Sequence, residues 1–145
     1  GKKLVGILTE MSAQMNYIEY LVTGIGINAN LREFPEELED KATSLQKEIG
    51  HKVNRSALIA ECMEKIEENY EIFVKTQDLS GLMAAYQEAL VNQDQQVRVL
   101  EPGHEYTGVA RGINAMGELL VEKEDGTITE VYAGEVSVRG LYGYV

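Results

Sequence analysis

The sequence predicts an α+β fold, with strands and helices in its first two thirds and short strands alone in its last third. Two β-rich runs, residues 3–10 and 17–28, stand at hairpin spacing. A long run of apolar residues at helical spacing follows, and beyond residue 95 come short alternating segments separated by turn residues.

The first strand, Lys3-Leu4-Val5-Gly6-Ile7-Leu8-Thr9-Glu10, is joined by a five-residue polar connection, Ser12 to Asn16, to a second apolar run that begins at Tyr17. That second run ends in Gly24-Ile25-Gly26-Ile27-Asn28. Glycine in a strand sacrifices packing, so two at alternate positions point to a close approach to the backbone on one face. Asn28 stands where this strand leaves the sheet, and its carboxamide can both donate and accept. As antiparallel neighbours, the two strands would bring Lys3 near Asn28.

From Phe34 to about Gly50 the pattern is helical in pieces, with Pro35 a first helical residue and Gly50 a stop. Asn54 is an N-cap for a long amphipathic helix running to about Thr76. Its periodic set, Leu58, Ile59, Cys62, Met63, Ile66, Tyr70, Phe73 and Val74, predicts a buried stripe that includes the one cysteine. A shorter helix capped by Ser80 carries Leu82, Met83, Tyr86 and Leu90. The polar run 91–95 interrupts all periodicity and predicts the boundary, giving domains at 1–94 and 95–145. Turns at Pro102-Gly103, Asn114 to Gly117 and Asp125-Gly126 divide the last part into four or five short strands, a small barrel or sandwich.

Composition sets the limits. With 145 residues, 44% of them hydrophobic, the chain can bury a core. No apolar run approaches the roughly 18 residues a membrane span requires, so no membrane association is expected. One cysteine excludes an internal disulfide and fits a reducing, cytoplasmic setting. Net charge is −11, from 24 acidic and 13 basic residues, which repels polyanions and argues against nucleic acid contact by this segment. The acidic cluster of Glu36, Glu37, Glu39 and Asp40 reads as a solvated helix start. His51 and His104 lie far apart with no partner at metal spacing, so no metal site is expected.

Residues 24–29 also satisfy the loose dinucleotide pattern G-x-G-x-x-A. That reading fails on context, because the glycines should open a helix and the following Asn30 to Pro35 promises a loop. On the glycines alone, a bulge or close sheet packing is the simpler account.

The order of motifs is more specific. Lys-Leu-x-Gly-Ile-Leu-x-Glu from residue 3, Gly-x-Gly-Ile-Asn-x-Asn from residue 24, then Phe-Pro-Glu-Glu-Leu and Ala-Thr-Ser-Leu resemble the later half of the catalytic domain of biotin protein ligases. Residues 108–113 (GVARGI) and 133–139 (AGEVSVR) resemble that family's small terminal β-domain. The resemblance runs from residue 1 to about 140. It implies a remnant of a mixed sheet with helices, of the class II synthetase-like kind, followed by a small SH3-like β-barrel.

One departure is informative. The family's basic Gly-Arg-Gly-Arg-x-Gly-Arg loop, upstream of the lysine strand, is not found in these 145 residues. With Gly1 rather than Met at the start, the resemblance implies a piece of the enzyme, inactive alone.

The parent reaction implied is activation of biotin with MgATP to biotinyl-5'-adenylate, then transfer of biotin to a lysine of a biotin carboxyl carrier protein. The resemblance places Lys3 as catalyst, an ammonium offsetting repulsion between biotin's carboxylate and the α-phosphate. Lys2 does not align. Gly6, Ile7, Gly24, Gly26 and Ile27, with Lys3, would form the biotin slot, and Asn28 an ATP or adenylate contact. Arg32 aligns approximately with a family arginine near the adenylate, with a surface role equally open. Glu135 and Arg139 would share one face of a strand, as an ion pair or as contacts of the terminal domain near nucleotide and carrier. The alternative is a biotin-sensing effector and dimerisation part of a bifunctional biotin operon repressor, for which a homodimer is the added partner.

Overall fold

A computed structural model describes residues 1–101 and 103–132 and the backbone of 137–140. The chain forms two compact units, Gly1–Glu61 and Cys62–Val145.

The first unit is built on a hairpin of β1 (Val5–Gln14) and β2 (Tyr17–Ile27), paired antiparallel. The polar stretch 12–14 belongs to the strand and not to the connection, which shrinks to Met15 and Asn16. Ser12 and Gln14 both donate to the Glu19 carboxylate, so the polar end of the ladder stays paired and holds that acid below its usual pKa. A register shift between Ser12 and Ala13 absorbs the irregularity. The mixed sheet expected from the resemblance is, among the described residues, an antiparallel pair with a single parallel bridge between Lys3 and Ala42.

Between the hairpin and the long helix lie a 3-10 turn, Glu36–Leu38, and a short helix α1, Leu45–Ile49. Pro35 occupies the N-cap position, in extended geometry, one residue before the place expected for it. Ser44 caps α1 by accepting from Lys47 N–H at 3.1 Å, and Gly50 ends it at φ +82°, where the absent Cβ removes the usual penalty. Asn54 caps α2, Arg55–Thr76, by accepting from the N–H groups of Ser56 and Ala57.

The expected buried stripe on α2 is apolar but not buried. No residue of α2 is buried, and Ile59, Met63 and Tyr70 are exposed while Cys62 is half-buried. Periodicity identifies the face that a neighbouring layer would cover; the layer itself has to come from elsewhere.

The boundary between the compact units falls within α2. In the second unit α3 is Met83–Ala89, with Leu82 rather than Ser80 at its N-cap and no side-chain cap. Ser80 is instead held one turn earlier, its N–H donating to Asp78. Residues 79–94 are tied to the sheet that follows by Leu79 N–H to the Ala115 carbonyl and Asp94 N–H to the Ala110 carbonyl, both 2.8 Å. These bonds join α3 and its flanking turns to the strands within one compact unit.

That sheet has five antiparallel strands: β3 (Gln96–Glu101), β4 (His104–Ile113), β5 (Leu119–Glu122), β6 (Ile128–Val131) and β7 (Ser137–Gly140), in the order β6-β5-β4-β3-β7. Val97 and Val99 alternate inward with Arg98 outward, and with Ala110, Val121 and Val131 they make the core. Gly103, Gly117 and Gly126 take positive φ at the turns. Among the described residues no bond joins β6 to β7, so the sheet is open, where a closed barrel was expected. Within the described residues no helix is long and apolar enough to cross a membrane.

Candidate functional site

The antiparallel register sorts the sequence-predicted residues between the two faces of the hairpin. Gly6 lies opposite Gly26 and Leu8 opposite Gly24, so three glycines share one face. Ile7 lies opposite Ile25 and Val5 opposite Ile27, which puts Ile7 and Ile27 on the other face. Those two isoleucines can therefore reach the glycine face through their backbone alone. The Ile27 side chain lines an apolar groove of about 220 Å³ with Ile25, Ala29, Leu58, Ile59 and Arg55.

Lys3 stands over the glycine face. A Cβ built on Gly6 would lie 3.5 Å from Lys3 Cε and 3.7 Å from its Nζ, both ordinary contact distances, so the lysine stem lies directly over this glycine. No carboxylate pairs with Lys3 among the described residues, whereas Lys2 donates to the Glu39 carbonyl at 2.7 Å and sits 3.9 Å from Asp40. The two lysines are thus physically distinct: one is tied to the chain and one presents an ammonium.

The glycines at 24 and 26 are not required by the backbone. Neither has a positive φ, and the register shift in this hairpin lies elsewhere, at Ser12/Ala13. An added Cβ would meet Leu8 O or Gly6 O at 3.7 Å, ordinary contact distance. Bulge geometry and tight packing, the two structural reasons for glycine, are both absent here.

Asn28 follows directly. Its N–H donates to the Leu4 carbonyl at 3.0 Å, continuing the ladder, and its Nδ2 is 3.5 Å from the Lys3 carbonyl. Lys3, Gly6, Gly26 and Asn28 are therefore brought together at one end of the hairpin, as the sequence suggested.

A short segment, residues 41–46, fixes that end, and sequence reasoning missed its part. Lys3 N–H donates to the Lys41 carbonyl at 2.8 Å and Thr43 N–H to the Lys3 carbonyl at 3.0 Å. On the other side, Leu45 N–H donates to the Asn28 carbonyl and Gln46 N–H to the Ala29 carbonyl, both at 2.9 Å, while Ser44 Oγ donates to the Leu31 carbonyl. Ser44 is fully buried and Thr43 and Gln46 nearly so. Asn30 locks the same loop to Val53, donating to its carbonyl at 3.0 Å and accepting from its N–H at 2.9 Å. The Ser44 hydroxyl caps α1 and also holds Leu31, which requires two segments 13 residues apart to meet.

In the second unit Arg111 donates to Glu122 at 2.6 Å and to Asp94 at 2.7 Å. Asp94 is held below its ordinary pKa, chiefly by Arg111 and then by Gln93. On β7, Arg139 stands opposite Arg98 in the ladder. Glu135 lies outside the described residues.

Residues 94–139 match the family described as biotin protein ligase C terminal domain. A bifunctional ligase/repressor BirA of Bacillus subtilis is 32% identical over 140 residues, covering 95% of this chain. The chain is related to the C-terminal part of biotin protein ligases. It spans 42% of the length of that relative. Among solved structures, the apo biotin protein ligase from Aquifex aeolicus superimposes with a TM-score of 0.80 at 32% identity, covering 96% of this chain and 59% of that one. The same ligase in complex with biotin and ATP gives 0.77 at 29% identity, covering 96% of this chain and 56% of that one.

Proposed function

We propose that residues 1–145 form the C-terminal part of a biotin protein ligase, which activates biotin with ATP and then biotinylates a lysine of a carrier protein. The observation that carries this reading is the Lys3 ammonium, without a carboxylate partner among the described residues, over a glycine face that meets no close contact at Gly24 or Gly26. Biotin's carboxylate oxygen attacks the α-phosphorus of ATP, forming the acyl phosphate bond and releasing pyrophosphate. The carrier lysine amine then attacks the acyl carbon and releases AMP. Lys3 stabilises the charge that builds as the two anions meet. Gly6, Gly24 and Gly26, with the backbone of Ile7 and Ile27, form the biotin slot. Asn28 and Arg32 contact the phosphates or adenylate, and Mg²⁺ accompanies ATP as part of the substrate.

Residues 95–145 are proposed to be an SH3-like module of that enzyme, a reading supported by the five-stranded sheet and by the family match that begins at residue 94. Glu135 and Arg139 would serve as its contacts toward nucleotide or carrier. A cytoplasmic location is consistent with the lone cysteine.

A second reading is supported by the relative being a bifunctional ligase/repressor. In that reading the same site senses biotinyl-adenylate and drives homodimerisation, DNA contact being made outside this segment. Sequence upstream of residue 1 separates the two: a helix-turn-helix favours the repressor, and its absence a dedicated ligase.

The deciding experiment is biotin-dependent exchange of pyrophosphate into ATP. The full-length protein should show it and residues 1–145 alone should not, since the chain holds no basic glycine-rich loop for the phosphates. Robust exchange by the 145 residues would mean that the phosphate-binding parts are misassigned.

A further inference from the structure

We infer that Gln46 is a positioning residue for Arg32, fixing the guanidinium that meets the nucleotide; this rests on the nucleotide role proposed above for Arg32. Gln46 is only 7% exposed although it stands on a five-residue helix. A buried carboxamide is costly unless both its ends are bonded. Both are bonded when Nε2 donates to the Asn30 carbonyl at 3.1 Å and Oε1 accepts from Arg32 Nε at 2.7 Å.

Ser44, Leu45 and Gln46 together bind four successive carbonyls, those of Asn28, Ala29, Asn30 and Leu31. The backbone of this loop is therefore set before Arg32 is reached. What Gln46 Oε1 adds is a hold on the side chain that follows. Bonding through Nε fixes the guanidinium plane and leaves both Nη groups without a protein partner among the described residues, free for a planar, two-point grip on phosphate oxygens. An exposed arginine without such a hold would have to surrender its rotamer freedom when the nucleotide binds.

The two ends of the Gln46 amide can be tested separately. Gln46→Leu removes both bonds, whereas Gln46→Glu removes the donor to Asn30 but keeps an acceptor for Arg32. In the full-length protein, assayed by biotin-dependent pyrophosphate exchange, Gln46→Leu should raise the ATP KM about tenfold, the size expected for one hydrogen bond to a charged group. The biotin KM should change less than about twofold, because Lys3 and the glycine face keep their own supports. Gln46→Glu should bring the ATP KM back to within about threefold of the starting value. In an Arg32→Ala background, Gln46→Leu should have no further effect on the ATP KM.

KM does not depend on the fraction of molecules folded, so partial unfolding of a variant leaves these comparisons intact. Equal rises for Leu and Glu would make Gln46 a holder of the Asn30 carbonyl only and overturn the inference. A silent Gln46→Leu beside a damaging Arg32→Ala would do the same while leaving the nucleotide role of Arg32 standing. An Arg32→Ala protein with unchanged ATP KM would remove that role, and the inference with it.

Discussion

Gly24 and Gly26 in the hairpin and Gly108 and Gly112 in the five-stranded sheet are glycines for opposite reasons. A Cβ on Gly108 would fall 2.5 Å from the Glu122 carbonyl oxygen and 2.6 Å from Val121 Cγ1. Gly112 combines a φ of +101° with Gln87 Nε2 at 2.9 Å from the position of a Cβ. Those two are demanded by the fold. The hairpin pair meets nothing closer than 3.7 Å, so its glycines are unexplained until a ligand is placed on that face. Burial divides the same way: the sheet encloses Val97, Ala110 and Val121 completely, whereas the hairpin exposes Ile7, Leu8 and Leu21 by more than half. One region spends its sequence on packing and the other on a surface.

The sharpest way to break this contrast is Lys3→Ala in the full-length protein. Loss of one preorganised charge contact should slow adenylation on the order of a hundredfold or more. The melting temperature should stay unchanged, since Lys3 makes no ion pair among the described residues. Lys2→Ala, which removes a bond to Glu39, is the control. Equally small effects from both would leave Lys3 as an ordinary strand-end lysine.

Gly108→Val should act on stability alone. The added atoms have no room between β4 and β5, and overpacking of this kind costs about 1–3 kcal/mol. Denaturant melts should record that loss, with the biotin dissociation constant unchanged. Gly26→Val should do the converse, weakening biotin binding by about tenfold or more at constant melting temperature, because a branched residue suits a strand but fills the slot. Titration calorimetry beside a thermal melt reads both. A lowered melting temperature with unchanged affinity in the Gly26 variant would put the two pairs of glycines in one class.

The smallest effect concerns Asp94. Its pKa is lowered in the folded chain by Arg111, so the stability it contributes is present above its unfolded value of about 3.9 and is lost as pH falls through the folded value. Asp94→Asn should therefore flatten the fall in melting temperature below about pH 4 and matter little to biotin binding. An unchanged acid slope would show that this exposed pair contributes nothing.

Local chemistry made much of this legible. The hairpin, the cap at Asn54, the stop at Gly50 and the turns at Gly103, Gly117 and Gly126 all follow from interactions within a few residues, which a sequence carries directly. The motif order likewise tied Lys3, the paired glycines and Asn28 to one family without any coordinates. Three expectations fail, each for its own reason. The polar stretch 12–14 stayed in the strand because Glu19, on the other strand, pairs with it. The apolar stripe on α2 is exposed, because periodicity says which face is apolar and not whether anything covers it. Ser80 does not cap α3, because its N–H is held by Asp78 two residues before the N-cap Leu82.

The sequence by itself determined that this chain begins with a glycine-bearing hairpin, continues in helices and ends in short strands, and its motif order pointed to biotin protein ligases as the proteins it is similar to. Only the tertiary structure decided that Ile7 and Ile27 turn away from the glycine face, because the pairing register rather than composition assigns each side chain to a face. It also decided that Ser44 and Gln46 grip the loop from Asn28 to Arg32. Those bonds join segments well over ten residues apart, and a donor and acceptor at that separation leave no local trace in the sequence until the chain has folded them together.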